Sequence, residues 1–93
     1  MREKIIEKEL VARVKAMGAI APKFTSPGFD GMPDRLVLLP GGRMGFVELK
    51  APGKKPRALQ LARHSLLRRL GFKVYVIDGI EQIDGVLEEI DHE

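Results

Sequence analysis

Residues 31–50, GMPDRLVLLPGGRMGFVELK, decide the fold of this chain. Within them, residues 35–39 and 44–50 are rich in the aliphatic and aromatic side chains that favour strands. Residues 40–43 (PGGR) separate the two segments and predict a tight hairpin connection. We therefore expect two antiparallel strands joined by a short turn.

The predicted hairpin brings charged side chains to one end of a buried strand. Residues two apart in a strand share a face, so Glu48 and Lys50 point to the same side of the sheet. If the two glycines form the turn, the register places Asp34 opposite Leu49, at that same end. A one-residue bulge would instead place Asp34 directly opposite Glu48.

The rest of the chain alternates helical and strand patterns. The strand at residues 73–77 follows the second hairpin strand through a helix, so these two strands should be parallel. The predicted fold class is therefore α/β, a mixed β-sheet flanked by helices in the order α-β-β-β-α-β-α. The elements predicted outside the hairpin are helices at residues 2–17, 56–70 and 80–90, a weak strand around 23–25 and a strong strand at 73–77.

The second predicted helix follows the hairpin after a short Pro/Gly/Lys loop. Pro56 occupies a position that favours proline in the first helical turn, and Gly71 marks the end of the helix. The side chains predicted to form its apolar face are Leu59, Ala62, Leu66, Leu67 and Leu70.

The composition is typical of one small globular domain. Hydrophobic residues make up 44% of the 93 residues and charged residues 31%, so we expect a single domain over residues 1–93. The lack of cysteine excludes disulfides and thiolate metal sites. Residues 1–10 are too charged for a signal peptide, and no apolar run reaches membrane-spanning length. We expect a cytoplasmic protein with no membrane partner.

The charges at the end of the hairpin indicate a metal site. Two neighbouring carboxylates, Asp34 and Glu48, repel each other unless a cation lies between them. Oxygen ligands favour Mg²⁺ or Mn²⁺ over zinc, and the main-chain carbonyl of Leu49 offers a third oxygen. Lys50 could orient or deprotonate an attacking water, or stabilise charge on a phosphate. Together these groups predict metal-assisted phosphodiester hydrolysis.

An alternative interpretation gives the same residues structural roles. Glu48 and Lys50 would form a salt bridge on an edge strand, and Asp34 would cap a turn. Glu-x-Lys tripeptides are common, and alone they favour this alternative. The placement of Pro33-Asp34 before one strand and of Glu48-Leu49-Lys50 at the end of its partner favours the catalytic interpretation.

Pro33-Asp34, followed after thirteen residues by Glu48-Leu49-Lys50, resembles the signature of the PD-(D/E)xK nuclease superfamily. The longer pattern GMPDRLVLLPGGRMGFVELKAPGKKP, with a glutamine downstream, resembles the VRR-NUC family in its compact stand-alone phage or bacterial form. In that resemblance Asp34 and Glu48 match the metal-ligand acids, and Lys50 matches the catalytic lysine. The resemblance implies a restriction-endonuclease-like fold and a Mg²⁺-dependent DNA endonuclease, with Mn²⁺ as a substitute.

The resemblance also implies roles for residues outside the hairpin. Gln60 matches the family's motif glutamine, which lies near the metal-bound water or the phosphate. Glu7 matches a glutamate of the amino-terminal helix that completes the acidic site. Glu3, one helical turn earlier on the same face, is the alternative for that role. His64, Asp30 and Asp78 are given no role in the site.

The expected partner is DNA, with no small-molecule cofactor. The net charge is only +3, but basic residues cluster directly after the predicted site. Lys54, Lys55 and Arg57 are expected to contact phosphates. A chain this small has a limited core, and its one active site would contact only a short stretch of DNA backbone. We therefore expect a homodimer. The resemblance adds a preference for branched DNA such as a Holliday junction.

Two other functions are compatible with the composition. The chain could be a nucleic-acid-binding module that has the same fold but performs no catalysis. It could also be a structural or interaction subunit whose carboxylates are surface charges. The complete set of Asp34, Glu48 and Lys50 disfavours the binding module, because a degenerate copy of the site would tolerate the loss of a charge. Titration with magnesium would identify a structural subunit, because a protein without a site should show no specific uptake.

Overall fold

The fold was taken from a computed structural model, which describes residues 2–92. A three-stranded sheet is packed between helices on its two faces. The predicted domain over 1–93 includes residues 1 and 93, which lie outside the described part. The elements are helices α1 (Glu3–Ala16), α2 (Ala58–Arg69) and α3 (Ile83–Asp91), strands β1 (Arg35–Leu38), β2 (Met44–Leu49) and β3 (Val74–Ile77), and 3-10 turns at Pro40–Gly42 and Ile80–Gln82.

The sheet has the predicted mixed topology. Its order is β1-β2-β3, with β1 and β2 antiparallel and β2 and β3 parallel. The weak strand predicted around residues 23–25 is reduced to isolated bridges, Ile20 with Leu38 and Lys23 with Arg35. With those bridges as the first β segment, the order α-β-β-β-α-β-α is confirmed, and β2 is the central strand.

The hairpin register differs from the prediction by one residue. Arg35 pairs with Val47, so the next pair along the hairpin sets Asp34 opposite Glu48 rather than opposite Leu49. The reason is the turn, which contains the three residues 40–42 instead of two glycines alone. Gly41 has a φ of 84°, a left-handed conformation that suits glycine. The predicted pairing of Asp34 with Leu49 is therefore wrong.

The two faces of β2 meet different environments. Val47 and Leu49 lie in the main apolar core, which packs against α1 and α3. Phe46 lies on the other side in a smaller cluster with Leu67 of α2 and Val74 of β3. Helix α3 buries four apolar side chains, namely Ile83, Val86, Leu87 and Ile90. No helix within residues 2–92 has both the length and the apolar character needed to cross a bilayer.

Helix α2 differs most from its prediction. Its N-cap is Arg57, so Pro56 lies before the helix rather than in its first turn. The predicted apolar face is largely wrong, because Leu70 is 65% exposed and only Leu67 of that set is buried. The residues that α2 does bury are Gln60, His64 and Leu67. Two of the three are polar because the first half of this face lies against the end of β2, where Glu48 supplies a polar partner.

The close approach of β2 and α3 generates a stability prediction. A Cβ added to Gly45 would lie 2.8 Å from Cγ1 of the buried Ile90. We expect Gly45→Ala to destabilise the protein by about 1–3 kcal/mol through overpacking, measured by urea denaturation. Combining it with Ile90→Ala should cost less than the sum of the two single changes.

Gly85→Ala is the matched control for this prediction. Gly85 lies within α3, and a Cβ there meets nothing within 4 Å. This substitution should stabilise the protein by up to about 1 kcal/mol through helix propensity. Equal effects of the two glycine substitutions would contradict the packing between β2 and α3.

Candidate active site

The site is built around the carboxylate of Glu48, at the end of the central strand. Its side chain is only 1% exposed. Oε2 accepts a hydrogen bond of 2.9 Å from Nε2 of Gln60 and lies 3.5 Å from Nζ of Lys50. Within residues 2–92, Oε1 has no hydrogen-bond partner. Because β2 is the central strand and Glu48 is buried, the edge-strand placement in the structural alternative is wrong, whereas the contact between Glu48 and Lys50 that it predicted is present.

Asp34 is held beside Glu48 by main-chain groups. The N–H of Leu49 donates a hydrogen bond of 2.8 Å to Oδ2 of Asp34. The N–H of Phe24 donates a hydrogen bond of 2.7 Å to the main-chain oxygen of Asp34. Both the backbone and the side chain of Asp34 are therefore fixed where β1 begins. In an extended strand the N–H and C=O of one residue point to the same side, so the Leu49 carbonyl is directed to the side of Asp34.

The environment of Glu48 disfavours a bare negative charge. Burial raises the pKa of its carboxyl to about 7, and the neighbouring Asp34 carboxylate acts in the same direction. The Lys50 ammonium opposes these effects without cancelling them. A cation placed between the two acids would relieve their repulsion and favour the ionised form of Glu48.

Gln60 connects the start of α2 to the buried carboxylate. Its Oε1 accepts a hydrogen bond of 2.8 Å from the N–H of Arg57, the N-cap residue. Its Nε2 donates to Glu48 at the same time. Both the oxygen and the nitrogen of the amide therefore have hydrogen-bond partners, and these partners identify which atom is the oxygen and which is the nitrogen. The structure brings the predicted residues Asp34, Glu48, Lys50 and Gln60 together.

Glu7 lies near this group but is paired elsewhere. Its Oε2 lies 3.1 Å from Nη2 of Arg35. The other terminal nitrogen of Arg35, Nη1, donates a hydrogen bond of 2.6 Å to the carbonyl of Ala21. Glu3, Glu7 and Asp34 line one pocket of about 240 Å³. The geometry therefore places Glu7 in the cavity beside Asp34 without bringing it to Glu48, and it does not choose between Glu7 and Glu3. Arg35 was missed by the sequence analysis.

The predicted phosphate contacts lie in the connection between β2 and α2. Lys54, Lys55 and Arg57 are all exposed there. A turn in which the N–H of Lys54 donates to the carbonyl of Ala51 follows Lys50 almost directly. The side chain of Lys50 is itself 18% exposed, so it contacts the buried acid and is still partly accessible from the surface. Positive charge therefore follows the acidic site along the chain.

Comparisons with known proteins show the family of the chain. No protein-family model matches the chain. A curated protein named "Putative nuclease p44", from Acyrthosiphon pisum secondary endosymbiont phage 1, is 54% identical over 79 residues, which cover 85% of each chain. A solved structure described as "VRR_NUC domain" superposes with a TM-score of 0.86 and 33% identity, covering 95% of this chain and 97% of the other. The chain belongs to the VRR-NUC nuclease family. The resemblance and the fold class predicted from the sequence are both confirmed.

The donor set of this VRR-NUC chain fits a hard cation with few protein ligands. In the described part of the chain, no three His, Cys, Asp or Glu side chains converge as a metal cluster would. Mg²⁺ is usually bound through one or two carboxylates and retains several waters. Asp34, Glu48 and the Leu49 carbonyl match that requirement, and the unpartnered Oε1 of Glu48 is a buried acceptor for a ligand. A structural zinc site, which needs four protein ligands, does not fit.

His64 is the residue of this VRR-NUC site that the sequence analysis left without a role. Its side chain is 1% exposed, and its Nε2 lies 3.5 Å from Oε1 of Glu48. Burial, together with the charge of Arg68, lowers the pKa of its imidazole below the ordinary value. The available signal was its spacing, because residues four apart share a helix face and Gln60 is four residues earlier.

The raised pKa of Glu48 predicts a pH-dependent stability in the metal-free protein. The unfolded chain releases this proton near the ordinary value of 4.5, whereas the folded chain keeps it until about 7. The stabilisation is therefore fully present below the lower value and lost as the pH rises through the higher one, by up to a few kcal/mol.

Glu48→Gln provides the comparison because it cannot ionise. In EDTA, the Tm of Glu48→Gln relative to that of the wild type should rise as the pH rises through this window. Thermal denaturation at closely spaced pH values measures the difference. A constant difference would mean that the folded state tolerates the ionised carboxylate without a penalty.

Proposed function

We propose that this VRR-NUC protein is a Mg²⁺-dependent DNA endonuclease, with Mn²⁺ able to replace Mg²⁺. The observation that carries the proposal is the buried Glu48 carboxylate, which contacts Lys50 and Gln60 and lies beside Asp34. Family membership supports the nuclease activity, and the curated relative is itself named a nuclease. Two acids beside one lysine suit the hydrolysis of a phosphodiester better than the binding of DNA alone.

Asp34, Glu48 and the main-chain carbonyl of Leu49 would hold the metal ion. When bound, the ion would act as a Lewis acid toward the phosphate and lower the pKa of a coordinated water. Asp34 is prepared for this role because its carboxylate is already fixed by a main-chain N–H. Glu48 is prepared because Gln60 holds one of its oxygens while the other has no partner in the described part of the chain.

Lys50 supplies the positive charge that a phosphodiester transition state requires. Its ammonium is held 3.5 Å from Glu48, and its partial exposure lets it meet a phosphate at the surface. It would orient the attacking water and offset the charge that develops on the phosphoryl oxygens. Gln60 acts by fixing the orientation of Glu48.

Glu7 and the basic loop complete the proposed site. Glu7 shares a pocket with Asp34, which supports a contribution to the acidic rim, with Glu3 as the alternative. Lys54, Lys55 and Arg57 would bind the DNA backbone, because they are exposed and directly follow the catalytic lysine. Contacts of this kind depend on salt and read no sequence.

Cleavage of plasmid and linear DNA in Mg²⁺, Mn²⁺ or EDTA tests the proposal. Glu48→Gln and Lys50→Ala should each reduce the cleavage rate by on the order of a hundredfold or more, because they remove stabilisation of the transition state. DNA affinity measured in EDTA should stay close to the wild-type value. Lys15→Ala, which removes an equal charge from an exposed position on α1, should cleave normally.

Cleavage by either site variant at the wild-type rate would remove that residue from the proposed mechanism. A wild-type protein that binds DNA but never cleaves it would instead support the non-catalytic binding module. Loss of folding is checked by circular dichroism on each variant.

We also propose that the protein acts as a homodimer on branched DNA. The chain has only 93 residues, and a core of that size is often supplemented by association. Helix α2 and the segment after it expose large apolar side chains, which supports a subunit contact: Leu59, Leu61, Leu70 and Phe72. A two-fold pair would present two active sites to two strands, as a four-way junction requires.

Sedimentation and competition binding test this assembly. The wild type should sediment as a dimer, and Leu61→Glu should shift it toward monomer because Leu61 is 51% exposed on α2. At fixed salt, a four-way junction should compete for the protein better than a linear duplex of equal length. A monomer that cleaves both substrates equally would contradict the assembly while leaving the nuclease activity intact.

A further inference from the structure

Two buried polar groups beside the site lack the partners that such groups normally have. Among the residues that the structure describes, Oε1 of Glu48 and both ring nitrogens of His64 make no hydrogen bond. Both side chains are only 1% exposed, so water does not replace the missing partners at the surface. Unsatisfied buried groups of this kind are uncommon in folded proteins, and each one calls for an explanation.

The unpartnered atoms face each other. Nε2 of His64 lies 3.5 Å from Oε1 of Glu48, so a displacement of a few tenths of an ångström would complete a hydrogen bond. A neutral imidazole carries one N–H, which can be on Nε2 and point at the carboxylate. Each carboxylate oxygen has room for a second ligand besides that donor.

Helix α2 therefore presents two donors to one carboxylate. Gln60 holds Oε2 at 2.9 Å, and His64, one helical turn later, faces Oε1. Residues four apart point in the same direction along a helix, so one orientation of α2 serves both contacts. Lys50 approaches Oε2 from the strand itself, whereas Oε1 lies beside the imidazole of His64.

We propose that His64 is a positioning residue that fixes Glu48 for metal binding by holding Oε1 while Gln60 holds Oε2. The proposal rests on the proposed function, because it concerns the same carboxylate. Because the contact of His64 is with Glu48 and not with a reacting atom, its role is positioning rather than catalytic. Partners that orient a metal-binding carboxylate typically contribute 10–100-fold to metal affinity or activity.

Two substitutions at His64 separate positioning from packing. His64→Leu fills the space but removes the donor, whereas the amide nitrogen of His64→Gln can stand where Nε2 stands. Calorimetric titration with Mn²⁺ should show binding by His64→Leu that is weaker by about 10–100-fold. His64→Gln should recover most of the affinity. In the metal-free protein Nε2 of His64 and Oε1 of Glu48 are 3.5 Å apart and make no hydrogen bond, so the Tm of His64→Leu without metal should stay close to that of the wild type.

Leu67→Ala is the matched structural control. Leu67 is buried on the same face of α2, but it belongs to the apolar cluster with Phe46 and Val74. This change should lower the Tm and leave Mn²⁺ affinity close to that of the wild type. If Leu67→Ala weakens Mn²⁺ binding as much as His64→Leu does, the effect is general destabilisation and the positioning role is wrong.

The same titrations distinguish failure of this inference from failure of the proposed function. Wild-type Mn²⁺ binding with equal binding by His64→Leu would overturn the role of His64 alone. No better binding by His64→Gln than by His64→Leu would do the same. A wild type that neither binds Mn²⁺ nor cleaves DNA would overturn the proposed function and the positioning role together.

Discussion

The rest of the site depends on the burial of one carboxylate, that of Glu48, at the end of the central strand. A buried carboxyl group requires donors, and the surrounding elements are arranged to present them. Gln60 donates from α2, Lys50 approaches from the same strand, and His64 faces the remaining oxygen. The raised pKa shows that these contacts do not fully compensate for burial and for the neighbouring Asp34. Such an incompletely neutralised site is suited to receive a cation.

The sheet separates this polar region from the part of the molecule that stabilises the fold. On one face of β2, Val47 and Leu49 pack into a continuous apolar core with α1 and α3. On the other face, Phe46 contributes to a small apolar cluster, and Glu48 lies beyond it. Because side chains alternate along β2, one face of the strand contributes to the apolar core and the other face contributes to the candidate active site. Helix α2 can bury polar side chains because the opposite face of the sheet supplies most of the buried apolar surface.

The parts of the fold that follow local patterns were predictable from the sequence. Strand alternation and the strand–helix–strand order gave the mixed sheet, and the pairing of Glu48 with Lys50 followed from their spacing. The register was not predictable, because it depended on whether the turn has two or three residues. The inward face of α2 was mistaken because its leucines suggested an apolar stripe, whereas the helix is oriented by the polar contact of Gln60 with a distant strand. The ion pair of Glu7 with Arg35 joins residues far apart in sequence, and no local pattern reveals it.

The precision of the site comes from peptide groups rather than from side chains alone. The carboxylate of Asp34 accepts a hydrogen bond from the N–H of Leu49, next to the first residue of β1. If the antiparallel pairing of β1 and β2 continued, a main-chain oxygen would accept this hydrogen bond instead. Gln60 accepts the N–H of the N-cap residue Arg57, so its amide is fixed by the start of a helix. Peptide groups in secondary structure move little, because their neighbours are bonded to the rest of the element. The ends of β1, β2 and α2 therefore position the two acids together through these hydrogen bonds. This explains how the described residues hold two carboxylates close together at the end of a three-stranded sheet.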